Sequence, residues 1–162
     1  MNDYNPVYIM MVGVPASGKS TFIKEYFGDN AHVDYQYYSS DREIEEFARV
    51  MGKTYNEVFF DRIVAATDLS LSDLRHAITH SVSVIDDHTN TSAKKRKAKL
   101  NNLPDNYIKI AFVFSTPETD EWQRRLDNRP GKTIPKNVLE SMAMNLTNPS
   151  YDEGFDIICH IQ

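Results

Sequence analysis

A chain of 162 residues with an ordinary globular composition has room for one domain and a real hydrophobic core. Its formal net charge of −5 argues against a protein that coats duplex DNA over a broad face, but leaves room for a small basic pocket gripping one nucleic-acid end. One cysteine, Cys159, excludes an internal disulfide and a cysteine-built zinc site. With no apolar run near the ~20 residues of a membrane span and no basic start, the expectation is a soluble cytoplasmic protein without a membrane partner.

The elements read as alternating strands and helices. Val7–Val12 is a short apolar run predicted as a buried strand, and Thr21–Phe27 as a helix that Gly28 ends. Tyr35–Ser39 is a second strand running into Ser40-Asp41, followed by a helix through Met51 that Gly52 closes. Ile44, Phe47, Ala48 and Met51 share one face of it. Two helices are expected at Thr54–Ala66 and Ser70–His80, then a strand at Val82–Ile85 and a basic helix from Ala93 to Leu103 with Ser92 as cap. Tyr107–Phe114 is a strand, Glu118–Asn128 a helix, Arg129–Pro135 a loop, Lys136–Leu146 a helix and Phe155–His160 a last strand, with Cys159 as a buried structural thiol. The pattern predicts a single α/β domain over 1–162, with a mainly parallel central sheet flanked by helices. Ligands of such sheets sit at the carboxyl ends of the strands, which directs attention to the residues just after each one.

After the first strand stands GVPASGKST, Gly13 to Thr21, which fits G-x-x-x-x-G-K-[ST]. Glycines let successive backbone N–H groups turn inward around phosphate oxygens. Lys19 would reach the β/γ-phosphates of ATP, Ser20 would ligate Mg²⁺, and the following helix aims its positive end at the same anion. Strand, loop and helix is the context this motif needs.

Three other strand ends are polar. Asp41 either caps its helix or takes the proton of an attacking hydroxyl, and the two roles are compatible. Asp86 and Asp87 either hold Mg²⁺ as acids of the Walker-B type or form a local turn, and strand alternation leaves open which of them faces the metal. Ser115-Thr116 follows the strand at Tyr107–Phe114. The run Lys94-Lys95-Arg96-Lys97 with Lys99 is either a solvated helix face or a steering patch for an anionic acceptor. Arg124, Arg125, Arg129 and Lys132 precede or lie in the Pro/Gly loop, from which an arginine would close over donor phosphates. His76 and His80 stand at i, i+4 without a metalloprotease signature, so they read as exposed polar residues, as Trp122 reads as packing.

In this order the motifs resemble the P-loop kinase domain of bacteriophage-type polynucleotide 5′-kinases, over nearly the whole chain. GVPASGKST is similar to the family's phosphate loop, with Ala16 where glycine is frequent. Ser39-Ser40-Asp41 resembles the segment that carries its general base. Asp87-His88-Thr89-Asn90 followed by the basic run resembles its D-x-T-N pattern, and Arg129–Leu139 its lid. The resemblance implies Asp41, Lys19 and Arg129 as catalytic groups. It implies donor contacts from Gly13, Ala16, Ser17, Gly18, Lys19, Ser20, Thr21, Arg125 and Arg129. Mg²⁺ would be held by Ser20 with Asp86 or Asp87, and the acceptor would be met by Asp41, Arg42, Asp87, Thr89 and Asn90. ATP/ADP and a nucleic-acid 5′ end are the implied partners, in the cytoplasm of a phage-infected bacterial cell, and no phosphatase domain is expected in this chain. Three after Asp41 the phage enzymes carry an arginine that holds the acceptor phosphate. Here that position is Ile44 and the nearest arginine is Arg42. Three readings therefore stand: a 5′-hydroxyl kinase, a kinase of modified phage bases or small nucleosides, and a non-catalytic ATP-binding module.

Overall fold

The computed structural model describes residues 5–28 and 34–161; the extreme N-terminus and His32 lie outside them. Among the described residues, strands β1 (Val7–Val12), β2 (Gln36–Tyr38), β3 (Val84–Asp86), β4 (Ile108–Phe114) and β5 (Ile157–Ile161) form one sheet of order β2-β3-β1-β4-β5, every pairing parallel. A central strand of a parallel sheet is covered on both faces, so it reads as an unbroken apolar run rather than an alternating one. β1 obeys this. Tyr8, Met10 and Val12 enter a cluster with Ala77, Leu100 and Phe155, while Ile9 and Met11 enter another with Phe22, Ile85 and Phe114. Each such side chain contributes roughly 1.5–3 kcal/mol of burial.

The helices are α1 (Lys19–Phe27), α2 (Ser40–Met51), α3 (Tyr55–Thr79), α4 (Ala93–Asn101), α5 (Thr119–Asp127) and α6 (Lys136–Met144), with a 3₁₀ turn at Tyr151–Glu153. The two helices expected between Thr54 and His80 are one helix of 25 residues. No glycine or proline interrupts the segment, the Thr67 hydroxyl bonds back to the Ile63 carbonyl at 2.7 Å, and Ser70 is buried rather than turned out as a cap. Thr54 and Glu57 start the helix through a reciprocal capping box. α2 and α3 pack on each other through Ile44, Ala48, Val58 and Ala66, a core of their own beside the sheet. Cys159 is half-buried on β5 rather than buried. Among the described residues β5 pairs only with β4 and forms the edge of the sheet.

Candidate active site

The phosphate loop leaves β1 at Gly13. A Cβ there would stand 2.7 Å from Ser17 Oγ and 3.0 Å from Phe114 Cβ, so only glycine fits. Ala16 (φ 60°) and Gly18 (φ 106°) both take left-handed backbone. An alanine in that region costs about 1–2 kcal/mol, which explains why glycine suits this position better. The helix begins at Lys19, two residues earlier than the sequence reading placed it. Lys19 is nearly buried and its Nζ donates to the carbonyls of Gly13 (3.0 Å) and Val14 (2.8 Å). Burial lowers its pKa to about 8, against the opposing pull of Asp87. Ser17 Oγ is buried in the same loop without a hydrogen-bond partner. A buried hydroxyl left unpaired is costly, and a phosphate oxygen in the cradle would satisfy it. Ser20 and Thr21 are exposed in the first turn of α1.

α5 clamps the loop from outside. Trp122 Nε1 donates to the Pro15 carbonyl at 2.7 Å, and Arg125 Nη1 reaches the Ala16 carbonyl at 3.4 Å. Trp122 is thus packing, as the sequence suggested, but packing that fixes the phosphate loop. The loop is also tied to the far side of β3 by the Gly13 N–H, which donates to the Thr89 carbonyl.

Asp86 and Asp87 go opposite ways. Asp86 is the last residue of β3, paired in register with Met10 and Tyr38, and is fully buried. Its carboxylate accepts from the Tyr8 hydroxyl and Lys99 Nζ, both at 2.7 Å, and meets His88 Nδ1 at 2.7 Å. Burial pushes its pKa up, but Lys99 and His88 outweigh that and hold it well below the usual range. Asp87 lines the main cleft beside Lys19, and burial raises its pKa to about 6. Strand alternation thus directs Asp86 into the core and Asp87 to the phosphate loop.

The basic run is not a uniformly solvated face. Arg96 is completely buried, forms a two-bond pair with Glu153 at 2.8 Å and donates to the Asn90 and Thr91 carbonyls at 3.0 Å. Lys99 holds Asp86 and the Asn90 side chain. Asn90, nearly buried at φ 48°, donates to the Met11 carbonyl at 2.8 Å. Asn90 therefore braces the segment after β3 against β1, and Thr89 beside it lines the cleft. Lys94, Lys95 and Lys97 are exposed.

Across the cleft stands Asp41. The cap of α2 is Ser39, whose hydroxyl accepts from the Arg42 N–H at 3.3 Å, so the Asp41 carboxylate is not spent on capping. Its oxygens accept from the Tyr55 hydroxyl (2.6 Å) and from Lys132 Nζ (2.8 Å), and Lys132 also holds Glu45 at 2.6 Å. Burial pushes the Asp41 pKa up, but the Lys132 ammonium and the bonds from Lys132 and Tyr55 prevail and lower it. Lys132 comes from the Pro/Gly loop, which is fastened to α3: the Asn56 N–H donates to the Gly131 carbonyl, and the Asn56 side chain accepts from the Thr133 N–H. Tyr55 was missed by the sequence reading. The capping box announces a helix there, but nothing local says that the ring reaches Asp41.

One cleft of roughly 1630 Å³ takes in the phosphate loop, Asp41, Arg42, Asp87, Thr89, Arg125, Arg129 and Lys132. The charges of Asp87, Arg129, Asp41 and Lys132 all act on the Lys19 ammonium, so these groups share one field. Arg42 is exposed, its guanidinium 4.1 Å from the Tyr37 ring centre. Ile44 is fully buried and offers the cleft nothing. Asp86 faces away from the loop, and no group of three or more metal-ligating His, Cys, Asp or Glu occurs among the described residues. A Mg²⁺ ion held mainly by phosphates needs only one or two protein ligands, which Ser20 and Asp87 fit. His76 and His80 lie exposed, their rings 4.1 Å apart. No described helix is long and apolar enough to cross a membrane.

A family model described as an AAA domain matches residues 8–149. A protein assigned as a bifunctional polynucleotide phosphatase/kinase, from Acanthamoeba polyphaga mimivirus, is 28% identical over 161 residues; the match takes in 93% of this chain and 32% of that protein, so the chain spans about a third of its relative's length. Among solved structures, a protein assigned as a kinase from Chloroflexus aurantiacus superposes with a TM-score of 0.66 at 17% identity, over 96% of this chain and 88% of that one. A chain of the Pnkp1/Rnl/Hen1 RNA repair complex superposes with a TM-score of 0.63 at 23% identity, over 90% of this chain and 46% of that one. At these identities the superpositions speak for the fold.

Proposed function

We propose, on the premise that this chain belongs to the AAA domain family and carries a P-loop kinase-like fold, that it transfers the γ-phosphoryl group of ATP to a hydroxyl, specifically the 5′-hydroxyl end of DNA or RNA. The observation that carries this reading is the single cleft in which Asp41, held by Tyr55 and Lys132, faces the phosphate loop. A module that only binds ATP has no use for a carboxylate held in that place.

ATP would supply the phosphoryl group, and Mg²⁺ would offset its charge. The loop amides, Ser17 and Lys19 would hold the donor phosphates, and Ser20 with Asp87 would hold the metal. Asp41 accepts the proton as the acceptor oxygen bonds to phosphorus and the bond to the departing ADP breaks. Asp41 is a carboxylate through neutral pH, the form that accepts a proton, although Lys132 and Tyr55 make it a weaker base than a free carboxylate. Arg129, in the loop that also delivers Lys132, offsets charge on the transferring group. Arg42 and Thr89 flank the acceptor side of the cleft.

Ile44, buried where an acceptor arginine would stand, favours keeping a second reading in the test: a hydroxyl on a modified base or a small nucleoside. The experiment is transfer of label from γ-labelled ATP to a 5′-hydroxyl oligonucleotide, to hydroxymethylated duplex DNA and to free nucleosides, at rising salt. End-labelling that weakens with salt supports the polynucleotide acceptor, because phosphate contacts release counterions. Labelling of the modified base or the nucleoside alone replaces it.

A further inference from the structure

The wall of the cleft beyond Asp41 is aromatic. From Tyr55, whose hydroxyl holds the carboxylate, ring-to-ring steps of 5.4 Å lead to Phe59 and again to Phe60, and all three line the cleft. Phe59 packs into the α2–α3 core, but Phe60 is 87% exposed. Its ring lines the cleft with most of its surface open to solvent. The rings sit on the helix pair that carries Asp41, not on the elements that build the phosphate loop. Two cationic side chains line the same cleft: Arg42, exposed over the Tyr37 ring, and Lys132, whose ammonium is paired with Asp41 and Glu45. Aromatic faces beside positive charge are how proteins hold single-stranded nucleic acid without reading its sequence.

We propose that Phe60, backed by Phe59, is the stacking platform for the base of the acceptor's terminal nucleoside, and so sets the preference for a nucleoside hydroxyl over a sugar or other small alcohol. This rests on the nucleic-acid reading above. A ring this exposed can be replaced without opening the core, so Phe60→Ala is a usable probe.

The experiment compares wild type, Phe60→Ala and Phe60→Trp on two single-stranded acceptors, one with an ordinary 5′-terminal nucleoside and one whose 5′-terminal residue is abasic. On the ordinary acceptor Phe60→Ala is expected to raise KM roughly tenfold with little change in kcat, and Phe60→Trp to keep KM near or below wild type. On the abasic acceptor wild type should already show the raised KM, with no further loss in Phe60→Ala. Equal losses on both acceptors, or a KM within about twofold of wild type on the ordinary one, overturn the platform while leaving the kinase reading standing. A weakened ATP Kd, or a change of oligomeric state on substitution, also overturns it, in favour of an adenine contact or a protein interface. No transfer by wild type to either acceptor removes the polynucleotide reading itself, and the platform with it.

Discussion

At the phosphate-loop end of the cleft, burial works against the charges: Lys19 is drawn down to about 8 and Asp87 raised to about 6. At the Asp41 end, and around Asp86, partners win over burial and both carboxylates are lowered. The first region is under-compensated: both groups remain charged near neutral pH, but less readily than they would in water. The second is built from side chains that satisfy one another. Residues of the first kind sacrifice stability for binding, whereas those of the second kind hold the site in place. Substitutions should separate the two.

The largest contrast is expected at Lys19. Lys19→Met should reduce transfer by about 10²–10³-fold, as loss of one preorganised donor to developing charge does. Unfolding of the free protein should at the same time change by no more than about 1 kcal/mol, because the relief from burying an ammonium is offset by the Gly13 and Val14 carbonyls losing their donor. Urea unfolding beside a transfer assay checks both. Arg96→Ala should instead act on stability. It leaves Glu153 buried and unpaired and frees the carbonyls after β3, at a cost of about 3–5 kcal/mol in the same unfolding measurement.

Asp87→Asn gives a smaller effect with a pH signature. The folded protein holds the Asp87 proton above the ordinary carboxylate range, so wild-type stability falls as pH rises from about 4 to about 6. The asparagine variant should lack that slope, gaining up to about 1–3 kcal/mol over wild type at pH 7.5 and nothing at pH 4, in buffer without metal or nucleotide. Thermal unfolding against pH decides it. The smallest shift is expected at Lys132→Met. Without the ammonium, the Asp41 pKa rises, and the acid limb of the rate profile should move to higher pH with a modest loss of rate near neutrality.

The same division explains what could be read from the sequence. The phosphate loop is a contiguous backbone device, so its glycines, Lys19 and Ser20 are spelled in order, and the apolar run before it marks the central strand. The parallel α/β fold was legible from alternating strands and helices. The Asp41 environment was not. It joins Tyr55 on α3 to Lys132 on a loop 77 residues further along, and each looks ordinary locally. Arg96 and Lys99 misled because charge runs are normally solvated. Their burial depends on Glu153 and Asp86, which only the fold brings near. Asp86 and Asp87 could not be told apart until the register of β3 fixed which faced inward. Tyr55–Thr79 is one helix and not two because no glycine or proline breaks it.

The central claim is that Asp41 takes the proton of a hydroxyl acceptor. The measurement that tests it most directly is single-turnover phosphoryl transfer by Asp41→Asn, with ATP affinity measured on the same sample. The account predicts a loss of about 10²–10⁴-fold in rate with ATP binding within about twofold of wild type. A wild-type rate in that variant would contradict it.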